Sequence, residues 1–278
     1  MVLMGVCGLL LTGAVVLALR WIDLPFASPP VIDAPSAGEV ARRFAWYSSL
    51  VLTAGIAAGV AVIGAGGRLA MRLLAATSGD DAQGRITEAD EVVGEITSEG
   101  TIGFILFNGI FGGVTAAAVY LVLRRLLPPR WVGGLAFGAG LLVVLGTTVD
   151  PLRDENPDFD LVGPGWLSVA VFTVLALVFG VVLAAFMAKA SAWLPLPSTN
   201  RGVLLHYLPI GVVALVGFTV TVALAVVGVV VVIVTRWTAV ACWVRSRMAV
   251  LIGRAALGAV VVLSVPGAVQ SVVDIIDG

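Results

Sequence analysis

The chain has 278 residues, of which 60% are hydrophobic and 12% charged, and its net charge is −1. A mean hydropathy of +1.10 lies far outside the range of soluble globular domains, so lipid is the solvent to reason with. The 16 basic residues are scattered over many loops, which argues against nucleic acid as a partner.

All of the basic residues but Lys189 are Arg, and Ala, Val and Gly are heavily used. That codon bias points to a bacterial source and hence to a bacterial plasma membrane. Seven apolar runs fill most of the chain, at approximately 2–19, 46–66, 101–123, 131–148, 166–188, 208–234 and 249–273. A spanning helix needs about 20 mostly apolar residues. The expected fold is therefore all-α: a polytopic transmembrane helix bundle of about seven spans, one integral membrane domain over 1–278.

The first run is read as a retained helix and not as a cleaved leader, because no basic residue precedes it and the first charge, Arg20, follows it. Met4, Gly5 and Val6 lack the small residue that a lipoprotein site needs immediately before its cysteine, Cys7. Cys7 and Cys242 are too far apart in sequence to suggest a disulfide framework or a metal spacing, and both are read as small apolar residues. Pro25, Pro29, Pro30 and Pro35 make the next stretch an irregular connection.

The second helix is expected from near Ala45 and to overrun its apolar part, since the sequence from Arg68 to Ala76 remains good helix material. Arg68 and Arg72 stand four residues apart and share one helix face. They are candidate contacts for an anion or a lipid headgroup; the plainer reading is that both snorkel to the interface.

Residues 87–97 read as a short amphipathic interfacial helix, with Thr87 and Asp90 as a capping pair and Glu88, Glu91, Glu95 and Glu99 along one face. Seven carboxylates fall between Asp80 and Glu99 and five between Asp150 and Asp160. Glu88, Glu91, Glu95, Asp150 and Asp158 are the candidate acidic surface, which would attract cations or simply remain solvated. The run from Asp154 departs from a calcium loop at its sixth position, Phe159, and its twelfth, Gly165.

Asn108 falls in the middle of the third run, where a side-chain amide wants a partner across a helix interface or a polar ligand. Gly55 and Gly59, Gly109 and Gly113, and Gly134 and Gly138 give a close-approach spacing in each of the second, third and fourth helices. These three helices are expected to form the tight centre. Arg124, Arg125 and Arg130 with Pro128 and Pro129 form a compact hairpin between the third and fourth.

The sixth run is over-long for one crossing and is followed by a basic stretch with Trp237 and Trp243. His206, the only histidine, is read as an interfacial side chain beside Tyr207 and Pro209. The basic residues divide evenly between the two sets of alternating loops. The arginine hairpin then decides for an N-terminus outside and a C-terminus inside.

No nucleophile motif, phosphate loop, dinucleotide fingerprint or metal-ligand spacing is present, and no cofactor or metal is expected. An enzyme is disfavoured. The partners expected are the bilayer and a membrane protein or a second copy. The functional reading is a small-solute or ion transport protein, with a non-enzymatic accessory or assembly subunit of a membrane complex as the alternative.

Overall fold

A computed structural model describes residues 2–29, 36–88, 92–149, 151–153, 156–196, 203, 205–208, 211 and 246–277. These residues are helical almost throughout. We label the long helices α1 (Val2–Trp21), α2 (Ala37–Thr77), α3 (Ser98–Leu123), α4 (Arg130–Leu145), α5 (Gly165–Trp193) and α6 (Arg247–Asp277). Five of them are long and apolar enough to cross a membrane, and α4 is a shorter apolar helix of 16 residues. The sixth apolar run lies almost wholly outside the described residues, as do Glu91, Asp150 and Cys242.

The helix starts follow side-chain chemistry more closely than hydropathy. The second helix begins at Ala37, eight residues before the apolar run suggests. Ser36 caps it: its hydroxyl accepts from the Glu39 amide at 3.3 Å, and its own amide donates to the Glu39 carboxylate at 2.7 Å. At the far end α2 runs on past Arg68 and Arg72 to Thr77, as expected. Between Arg43 and Arg68 it rises about 38 Å, a little more than the hydrocarbon thickness.

The described residues of the short helix expected over 87–97, which are 87–88 and 92–97, are not helical. Ile86 and Val92 form an antiparallel bridge, Val93 donates to the Arg85 carbonyl, and the Gly84 amide donates to the Val93 carbonyl. Gly84 (φ +82°) and Gly94 (φ +92°) take left-handed backbone conformations that no helix continues through. The true cap is Thr97, whose hydroxyl accepts from the Gly100 amide at 3.1 Å and starts α3.

Two π-helical segments, Gly59–Gly66 in α2 and Ile105–Phe111 in α3, lie side by side. Glycine makes that crossing. A Cβ on Gly59 would stand 2.0 Å from the Gly109 carbonyl oxygen, and one on Gly113 would stand 2.3 Å from that of Gly55. The second and third helices are therefore locked backbone to backbone.

The fourth-run pair does not join them. Gly134 and Gly138 close instead on α5, where a Cβ on Gly138 would meet the Ala176 oxygen at 2.3 Å and one on Gly180 the Gly134 oxygen at 2.1 Å. The spacing announces close approach but carries no information about the partner. The core between the two locks is built from α1, α2, α3 and α5, through Ala14, Leu50, Val62, Ala117, Leu183 and Met187.

Helices consecutive in the chain are antiparallel, whereas α1 and α5 pack side by side in the same direction. Trp21, at the end of α1, packs edge-on against Phe186 near the end of α5. The end of α6 lies against the start of α5, with the Ile275 carbonyl facing Gly165, and its start lies at Leu126, in the α3–α4 hairpin. The start of α1 and the end of α6 therefore sit at the same end of the bundle. An N-terminus outside and a C-terminus inside would separate those two helix ends, and seven alternating spans would separate Trp193 from Arg247, which share one end of the bundle.

Candidate functional site

The two ends differ in charge. The end of α1, the start of α2, the α3–α4 hairpin, the end of α5 and the start of α6 carry nine of the 13 described basic residues. The other end carries four, among most of the described acids.

At the acidic end, Arg68 and Arg72 share a helix but not a task. The Arg72 guanidinium donates to the Gly94 carbonyl at 2.9 Å and ties down the turn before α3. The Arg68 guanidinium lies 6.0 Å from the centre of the Phe104 ring. Of the acidic surface, Glu88 and Asp158 come together: the Glu88 amide donates to the Asp158 carboxylate at 2.9 Å. Arg153, absent from the expected set, bonds both Glu88 carboxylate oxygens, at 2.5 and 2.6 Å. This end thus uses much of its charge internally. Glu95 is exposed. Among the described residues no group of three potential metal ligands gathers.

Asn108 is not enclosed between the described helices. It lies on the outward face of α3, in the π-helical segment, exposed beside Phe107 (68% exposed) and Phe111 (57%). Those two rings stack with centroids 6.2 Å apart. No described residue offers the Asn108 amide a hydrogen bond.

The basic end holds a cleft of about 390 Å³ between the turn after α1, the α3–α4 hairpin, α5 and the start of α6. Arg124, Arg130 and Arg254 line it, with Tyr120, Phe26 and Trp131. The Arg124 guanidinium lies 3.7 Å from the centre of the Phe26 ring and donates to the Ser28 hydroxyl at 3.0 Å. Burial pushes its pKa below the ordinary arginine value, with Tyr47 opposing and Arg125 adding to the shift.

Arg254 donates to the Leu126 carbonyl at 3.1 Å. Arg130 follows Pro128 and Pro129 and has a left-handed backbone, φ 58°, a conformation that costs a non-glycine residue about 1 kcal/mol or more. Its ion pair with Asp23 is long, 3.5 Å, and exposed on both sides, so it offsets little of that.

Sequence reading used the arginine hairpin only as a marker of orientation and passed over it as a site. The signal was present in three arginines within seven residues around a Pro-Pro turn. What the sequence did not reveal was that α6 would return to add Arg254. His206 stacks near Trp193, centroids 4.6 Å apart, and the Tyr207 hydroxyl donates to the Pro195 carbonyl, as suits interfacial side chains. The helices are those of an integral membrane protein. The chain matches no protein-family profile, no curated protein and no solved structure.

Proposed function

We propose that the protein is a non-enzymatic component of a membrane complex, joined to its neighbour through the outward face of α3. One observation carries this reading: the Asn108 amide, near the middle of a 26-residue apolar helix, is exposed and has no hydrogen-bond partner among the described residues. Leaving an amide unpaired in hydrocarbon costs several kcal/mol. A hydrogen bond to an adjoining chain removes that cost and is worth roughly 1 kcal/mol itself. The stacked Phe107 and Phe111 give the same face an apolar anchor.

Carriage of a small solute or ion, the other reading, needs a polar route at mid-depth. The α2–α3 seam is closed by glycine backbone, and two cavities among the described residues, about 390 and 410 Å³, lie at the bundle ends. In a bacterial plasma membrane the reading puts the basic end on the cytoplasmic side; the excess of arginine there, with Trp21, Trp131 and Trp193 near it, supports that orientation.

Cross-linking at position 108 tests the proposal. A benzophenone amino acid introduced in place of Asn108, which inserts into a neighbouring C–H bond on irradiation, should form a covalently linked species in native membranes. Its mass distinguishes a second copy from a different chain. Asn108→Leu should weaken co-purification of the same neighbour. A wild-type protein that is monomeric and unlinked in membranes, or one that moves ions in liposomes unchanged by Asn108→Leu, would overturn it.

A further inference from the structure

The basic cleft is separate from the α3 face. Three arginines from two stretches of chain line it, and among the described residues no carboxylate does; the neighbouring acid, Asp23, reaches only Arg130, at 3.5 Å. Two of the three arginines are anchored: Arg124 over Phe26 and on Ser28, Arg254 on the Leu126 carbonyl. A guanidinium carries five N–H donors, so each anchored group retains others for a ligand. Gathering three cations in one half-enclosed cleft is unfavourable unless an anion joins them. The opposite wall is of another kind: Val181, Ala184 and Ala188 of α5 present small apolar side chains that run into the bundle.

We propose that this cleft binds a phosphate-bearing anion. A tetrahedral phosphate spreads its charge over oxygens pointing in several directions, which three forks from different elements can reach together. A planar carboxylate offers only two oxygens, enough for one bidentate arginine. The apolar wall beside the arginines suits the glycerol and first methylenes of an anionic phospholipid that enters sideways from the interface. A soluble phosphate or phosphate ester from the aqueous side presents the same group. Trp131 at the rim marks the depth at which lipid phosphates lie.

The full chain, purified in mild detergent, is the test material. Native mass spectrometry after incubation with phosphatidylglycerol or phosphatidylcholine reads lipid retention. Melting temperature with inorganic phosphate, against chloride at equal ionic strength, reads the soluble source.

Wild-type protein should retain phosphatidylglycerol over phosphatidylcholine. Arg124→Gln and Arg254→Gln should each reduce that retention about tenfold, the loss of one charge-assisted contact. Arg42→Gln, an exposed arginine at the same end but outside the cleft, should leave it unchanged. Should inorganic phosphate raise the melting temperature with the same dependence on Arg124 and Arg254, while lipid retention is indifferent to them, the ligand is the soluble phosphate. Equal retention of both lipids by wild type and variants, with no response to phosphate, would overturn the proposal. Arg254→Gln removes a side chain that is exposed, so it separates loss of binding from loss of fold even if Arg124→Gln unfolds.

Discussion

Glu39 closes the box that starts α2, and its carboxylate is fully exposed. The hydrogen bond from the Ser36 amide, then that with the Ser36 side chain, hold its pKa below the ordinary glutamate value. A depressed folded pKa means that the cap's contribution is fully present above the unfolded glutamate pKa and is lost as pH falls through the folded one. Amide protection at residues 39–40, relative to the intrinsic exchange rate at each pH, should therefore fall on acidification below the ordinary glutamate range, while the rest of α2 stays protected. Glu39→Gln keeps a capping partner and should remove the pH dependence. The Ser36-x-x-Glu39 signature was legible in the sequence, but Arg42 and Arg43 break the apolar run and hide the helix start from a hydropathy reading. Arg72 shows the converse. Its place at four residues from Arg68 could be read, whereas its bond to Gly94 depends on a left-handed turn that sequence periodicity took for helix.

Glycine decides the element scale, and it divides into two kinds. At Gly113 and Gly138 a Cβ would meet a neighbouring backbone oxygen at 2.3 Å, whereas at Gly140, on the same α4 as Gly138, nothing lies within 4 Å. Gly113→Ala and Gly138→Ala should each destabilise by about 1–3 kcal/mol through forced separation of helices. Gly140→Ala should be neutral or stabilise by up to about 1 kcal/mol, from helix propensity alone. Thermal unfolding in detergent reads all three, and equal melting temperatures for the three variants would remove glycine from its role in the crossings. The spacing of the pairs showed which glycines were tight. It could not show that Gly134 and Gly138 face Gly180, because α5 offers no second glycine four residues away: Ala176 takes that place. Nor did it show the paired π-helical segments, whose extra residue per turn is a response to tertiary contact and leaves no period in the sequence.

At the scale of the whole molecule, basic residues that split evenly among alternating loops in the sequence divide nine against four among the 13 that the structure describes. The split arose from assuming that every apolar run crosses once. Antiparallel packing of α6 on α5 puts its start beside the arginine hairpin and its end beside Gly165, so Arg247 and Arg254 join the basic end. Positive charge is retained on the cytoplasmic side during insertion, so this end should face inward. The acidic turns and both the start of α1 and the end of α6 should then face outward. Single cysteines at Arg42, Glu88 and Asp277, introduced without Cys7 and Cys242, can be probed in intact cells with a membrane-impermeant maleimide. Glu88→Cys and Asp277→Cys should react at once, and Arg42→Cys only after permeabilisation. Reaction of Arg42→Cys in intact cells with protection of the other two would reverse the orientation and leave the bundle intact. Reaction of Glu88→Cys without Asp277→Cys would break the antiparallel pairing of α5 and α6, and with it the convergence of Arg254 on the basic cleft.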